Sequence, residues 1–178
     1  DYLTIVGKSS LSQVNEVLQT TDEENIAMIK DSIEYLSSKK RKIIFDAEHF
    51  FDGYKENKDY AVSTIKAAAS AGAEAIVLCD TNGGTMPMEI KEITEKIVKL
   101  NLGEVGIHVH NDADMAVANT IIAVENGATH VQACLNGWGE RTGNANIISV
   151  IANLKLKLGL DIINDDQLEK LTKISHFA

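Results

Sequence analysis

Five short apolar runs, Leu3–Val6, Lys42–Phe45, Ala75–Cys79, Val105–Val109 and Thr129–Cys134, alternate with longer segments of helical spacing. No other feature constrains the fold as much. The runs are nearly continuously apolar, as expected for parallel strands covered on both faces. After the first run, Ile26, Ile29, Ile33 and Leu36 recur at helical spacing behind Thr21-Asp22-Glu23-Glu24, a capping-box pattern. Helices predicted over Tyr60–Ala71, Met115–Asn126 and Ile147–Leu158 run into Gly72, Gly127 and Gly159, the usual C-terminal stop. Pro87, the single proline, falls where a helix over Met88–Leu100 begins and its missing N–H costs nothing.

Five strand–helix units imply right-handed parallel crossovers, in either an open doubly wound sheet or a closed barrel. The polar residues discriminate. Lys8, Asp46, Glu48, Asp80, Thr81, His108, His110 and Asn136 fall at the C-terminal ends of the five runs or just beyond. Polar groups contributed by every unit to one rim describe a barrel site, whereas an open sheet gathers its site at one switch point. A full barrel needs about 250 residues, and the chain has 178. The expectation is therefore an α/β fold, a (β/α)8 TIM barrel present in part, about strands 4 to 8, over residues 1–160. Residues 161–178 would begin a helical subdomain after the barrel, and the start at Asp1 without Met suggests a piece of a longer chain.

Composition removes several classes of function. With 17 Lys and Arg against 26 Asp and Glu, the net charge is −9, which argues against a binder of phosphate backbones. No apolar run reaches the ~18–20 residues of a membrane span, and no signal peptide is visible. Cys79 and Cys134 lie far apart in apolar runs, so buried thiols in a reducing, cytoplasmic setting are expected.

Gly106-Ile107-His108-Val109-His110-Asn111-Asp112 is the sharpest local feature. Residues two apart on a strand share a face, so His108 and His110 project together and could grip one divalent ion; a hydrogen-bonded pair of rim histidines is the alternative. The Gly-rich segment Asn136–Asn146 admits three readings: a loose dinucleotide loop, a turn with a helix cap at Asn144 or Asn146, or a source of an Asn carbonyl oxygen for the metal, with Glu140 and Arg141 behind it. Two His plus oxygen ligands would suit Mg²⁺, Mn²⁺ or Zn²⁺ acting as a Lewis acid. Asp46 and Glu48 offer two carboxylates on one strand face, for acid/base work, substrate orientation or a rim salt bridge. Asp80-Thr81-Asn82-Gly83-Gly84 offers a hydroxyl and amides able to hold a carboxylate, or an Asp/Asn-Gly turn. Gly7-Lys8-Ser9 is read as a chance likeness to a phosphate loop. Trp138 could be a lid or a partner contact, and His49, His130 and His176 have no spacing partner.

Taken together, Asp46–Lys55, Leu78–Gly84, His108–Asp112 and Asn136–Asn146 resemble the 2-isopropylmalate/homocitrate synthase group of metal-dependent (β/α) barrels, and the stretch from Asp46 to Lys55 its citramalate synthase branch. The resemblance covers essentially the whole chain. It implies an acyltransferase of isoleucine or leucine biosynthesis that condenses acetyl-CoA, as co-substrate, with an α-keto acid, pyruvate giving citramalate, followed by thioester hydrolysis. It further implies a divalent metal (Mg, Mn or Zn) on His108, His110 and Asn144, and Thr81 on the keto-acid carboxylate. Glu48 would lie near the acetyl group as a catalytic carboxylate, and Asp46 would line the substrate pocket. The group's Asp-Arg-Glu strand, with a fourth metal ligand, and its general base from beyond the barrel have no counterpart here. The isolated chain is therefore expected to be inactive and the full-length protein to be a homodimer. Rival readings are a 2-isopropylmalate or homocitrate synthase, an inert fragment or interaction piece, and the related hydroxymethylglutaryl-thioester lyase. The lyase usually carries a loop cysteine where this chain has Trp138, Glu140 and Arg141.

Overall fold

The computed structural model describes residues 1–178. Strands β1 (Tyr2–Lys8), β2 (Lys42–Glu48), β3 (Ala75–Asp80), β4 (Glu104–Val109) and β5 (His130–Gln132) form one five-stranded sheet in the order β1-β2-β3-β4-β5. Every neighbouring pair is parallel. A doubly wound sheet reverses its order at a switch point. This sheet never reverses, so it is a sector of a barrel and the open-sheet alternative falls.

Strand periodicity divides the residues between two sides. Ile43, Phe45 and Ala47 of β2, Ile76 and Leu78 of β3, and Ile107 and Val109 of β4 join the helices in one hydrophobic core. The helical contributors include Ile29 and Ile33 of α2 (Asp22–Ser38), Ile65 and Ala68 of α4 (Lys58–Ala71), and Ile90 and Ile97 of α5 (Pro87–Val98). The alternate residues Val6, Asp46, Glu48, Cys79 and His108 line a cavity of about 220 Å³ on the opposite, concave side. Fully burying one core side chain of this size stabilises by about 1.5–3 kcal/mol, so register is fixed by the helix-facing set. A slip of one residue would exchange the two sets.

Several local signals act as expected. Thr21 caps α2 by accepting from the Glu24 N–H at 3.2 Å, Pro87 opens α5, and Gly72 ends α4 in the left-handed region at φ 106°. Others differ. β5 is shorter than the predicted Thr129–Cys134, because the Cys134 N–H donates to the Ala145 carbonyl at 3.0 Å and the strand end pairs with the Gly-rich loop instead of β4. α7 (Ile147–Leu156) stops three residues short of Gly159. Two helical segments had no predicted counterpart: Leu11–Leu18, a turn of α1 (Leu11–Gln13) continued as a π-turn, and α3 (Phe50–Glu56). α6 (Ala116–Glu125) follows β4, and α8 (Asp165–Glu169) and α9 (Leu171–Phe177) end the chain. No helix is long and apolar enough to cross a membrane.

Candidate metal and substrate site

At the C-terminal end of β4, Val109 is buried in the core, which turns His108 and His110 to the concave side. Their Nε2 atoms stand 3.2 Å apart, and the Asn144 amide nitrogen lies 3.1 Å from His108 Nε2. Asn144 reaches this point because its loop is stitched to the strand end. The Asn111 N–H donates to the Gly143 carbonyl, the Ala145 N–H to the Val109 carbonyl and the Asn144 N–H to the Gly137 carbonyl, at 2.9, 3.1 and 2.9 Å. Gly143 has φ 91°, and a β-carbon there would strike the Gly137 carbonyl oxygen. Of the loop's three readings, the helix cap is seen at Asn146, which accepts from the Ile148 N–H at 3.1 Å to open α7, while Asn144 lies beside the histidine pair with its amide nitrogen toward His108.

The groups behind the imidazoles set their proton positions. His108 Nδ1 meets Gln132 Oε1 at 2.8 Å, and Gln132 Nε2 donates to Asp46 Oδ1 at 2.8 Å. A carbonyl oxygen only accepts, so His108 carries its proton on Nδ1 and leaves Nε2 bare. His110 is the opposite case. Arg141 Nη2 donates to its Nδ1 at 3.0 Å, and a guanidinium cannot accept, so the neutral ring carries its proton on Nε2. Arg141 is itself held by Asp112, at 2.6 and 2.7 Å, and by the Thr81 carbonyl at 2.8 Å. Glu140 Oε1 stands 3.7 Å from His110 Nδ1. Burial first, then the neighbouring His108 and Arg141, hold the His110 pKa below the ordinary histidine value. Burial raises the Asp46 carboxyl, against the opposing pull of Gln132.

The donor set suits a divalent cation. No three His, Cys, Asp or Glu side chains gather in metal-holding geometry, so any such site depends on the Asn144 amide. The separations of 3.1 and 3.2 Å match neighbouring ligands that each lie about 2.0–2.2 Å from one ion. His108 offers a bare nitrogen. Asn144 would offer oxygen by exchanging two amide atoms of nearly equal size, and His110 would offer Nε2 with its ring proton moved to Nδ1, a change that requires the Arg141 contact at 3.0 Å to give way.

The other expected residues divide. Glu48 lines the cavity and pairs with Lys8. Thr81 lines it too, and its Oγ1 accepts from the His49 N–H at 2.8 Å. Asp80 was expected on the same rim, but it faces the helix side, where Thr85 donates to it through N–H and Oγ1 at 3.2 and 2.8 Å. Strand alternation is the reason, since Cys79 takes the concave side. Asn136 also leaves the rim: its amide donates to the Ser175 carbonyl and accepts from Ser175 Oγ, tying the loop to α9. Cys79 is buried, and burial pushes its thiol well above the usual value. Gln132 was not anticipated, and the only signal for it was its place in the fifth apolar run.

One-way parallel winding with polar groups converging at the strand C-termini defines a (β/α)-barrel protein with its site at the usual end. The chain belongs to the HMGL-like family, which matches residues 1–177. It is 53% identical over 177 residues to an (R)-citramalate synthase of Aquifex aeolicus, covering 99% of this chain and 34% of that protein. A homocitrate synthase of Saccharolobus solfataricus is 35% identical over 158 residues, covering 88% of this chain and 33% of that protein. Among solved structures, an HMG-CoA lyase of Bacillus subtilis superposes with a TM-score of 0.83 at 18% identity, covering 99% of this chain and 61% of that one. The last likeness shows the shared fold. The chain thus spans about a third of the length of the curated relatives it matches, and the resemblance read from its motifs is borne out.

Proposed function

We propose that this chain is part of an acyltransferase that condenses acetyl-CoA with an α-keto acid, pyruvate giving citramalate, and then hydrolyses the thioester. The observation that carries the reading is the meeting of His108, His110 and Asn144 at the barrel rim, in a sequence 53% identical to an (R)-citramalate synthase. In this reading residues 1–160 are a partial catalytic barrel and 161–178 open a helical subdomain. The full-length protein is a cytoplasmic homodimer, and the 178 residues alone are inactive.

A divalent cation, Mg²⁺, Mn²⁺ or Zn²⁺, on His108, His110 and Asn144 would supply Lewis-acid polarisation of the keto-acid carbonyl. The remaining work falls to side chains. Thr81 Oγ1 already accepts from the His49 N–H, so its own O–H is free to donate to the keto-acid carboxylate. Glu48, paired with Lys8, faces the same cavity and orients the acetyl group. Asp46 lines the pocket with one oxygen engaged by Gln132. A proton leaves the acetyl methyl, the carbon so freed bonds to the keto carbon, and the keto oxygen takes up a proton. Water then cleaves the thioester and coenzyme A departs as the thiol.

The test is release of free thiol by the full-length protein with acetyl-CoA and pyruvate, 2-oxoisovalerate or 2-oxoglutarate. Turnover is expected with pyruvate, lost to a chelator and restored by Mg²⁺ or Mn²⁺. Preference for another keto acid moves the assignment to a 2-isopropylmalate or homocitrate synthase. Full activity after exhaustive chelation removes the metal from the reading.

A further inference from the structure

We infer that Gln132, braced by Asp46, is a positioning residue that holds His108 in the one tautomer able to bind a cation through Nε2; the inference rests on the metal-holding role proposed above. The register of β4 against β5 sets His108 opposite Gln132 on the concave side. An ionised carboxylate can only accept, so Asp46 takes the NH₂ end of the Gln132 amide and thereby turns the carbonyl end toward His108. That carbonyl takes the Nδ1 proton. A neutral imidazole has one ring proton, so Nε2 is left with its lone pair aimed at Asn144 and His110. The chain Asp46–Gln132–His108 thus runs across the concave face from β2 to β5 to β4, every donor facing an acceptor. An outer hydrogen-bond partner of this kind fixes both tautomer and ring orientation, and its loss weakens metal binding by about 10–100-fold.

Changing the chain link by link in the full-length protein tests this. Two quantities are read: the ring ¹⁵N shifts of His108 without metal, and the affinity for Mn²⁺ from the resonance of the free ion. The unsubstituted protein should show His108 protonated at Nδ1 alone. Gln132→Leu should mix the two tautomers and weaken Mn²⁺ binding by about 10–100-fold. Adding Asp46→Asn to Gln132→Leu should cost little more, because the two act in series. The reciprocal change D46N/Q132E reverses that bond, with a donor at 46 now facing an acceptor at 132, leaves the other carboxylate oxygen at 132 to accept from His108 Nδ1, and should restore both the single tautomer and the affinity. Unaltered Mn²⁺ affinity in Gln132→Leu, or a His108 of mixed tautomer in the unsubstituted protein, overturns the inference. A locked His108 with no Mn²⁺ bound overturns the metal reading instead and leaves the hold of Gln132 on the tautomer standing.

Discussion

A β-carbon on Gly139 would overlap the amide oxygen of Asn144. The loop therefore needs glycine at 139 to keep the Asn144 side chain beside the histidine pair, a requirement of space and not of backbone angle. Gly139→Ala should displace that amide at an overpacking cost of about 1–3 kcal/mol. Mn²⁺ affinity should fall sharply. Gly84→Ala, where a β-carbon meets nothing within 4 Å, should leave affinity and melting temperature unchanged. Calorimetry on the two variants side by side checks the contrast, and equal affinities would detach Asn144 from the metal.

His108→Ala in the full-length protein should abolish metal-dependent turnover while leaving the circular dichroism spectrum intact. The side chain projects into the cavity and takes no part in the hydrophobic core. Near-normal kinetics in this variant would take the histidine pair out of the mechanism.

Thr85→Val should destabilise by about 1–3 kcal/mol, since it strips a hydroxyl from a buried carboxylate. Asp80 is 1% exposed and both its oxygens are engaged by Thr85. Burial already raises its pKa, with the Thr85 bonds opposing. A raised carboxyl contributes most favourably at low pH and less as pH rises through its folded pKa. The deficit of Thr85→Val should accordingly be larger at pH 7 than in mild acid, as urea unfolding at both pH values would show.

His49 gives the opposite sign. Burial, ahead of all neighbouring charges, holds its pKa below the ordinary 6.5. The unfolded chain then binds the proton more readily, so the stability contributed by neutral His49 is complete above about 6.5 and is lost as pH falls toward the lowered folded value. His49→Asn suits the left-handed φ of 56° at this position and should flatten part of that acid slope. An unchanged slope in chemical denaturation would place the acid sensitivity elsewhere, His110 being the next candidate.

Most of this architecture was legible in the residues because burial on both faces writes itself into a sequence. The runs around Ile43–Phe45, Ala75–Cys79 and Val105–Val109 could be strands of only one kind of sheet, and alternation placed His108 and His110 on a common face. Segments governed by local exceptions were not legible. α3 has seven residues and opens at His49 in the left-handed region, too short and too irregular an entry for a period to emerge. Asp80 and Asn136 were misplaced because a strand end names the neighbourhood of a side chain and not its side. Gln132 was invisible because its role arises from partners on β2 and β4, brought together only by register. The convergence of Asn144 on the histidines came from likeness to other proteins and not from spacing.

The one-way winding of the sheet has a mechanical consequence. β3 sits at the middle of the strand order and alone is buried along its entire length. In the 178 residues by themselves, amide exchange should be slowest there and quicken toward three-residue β5 and the exposed β1. The imidazole pair, one strand from that slow centre, keeps its alignment while the flanks fray.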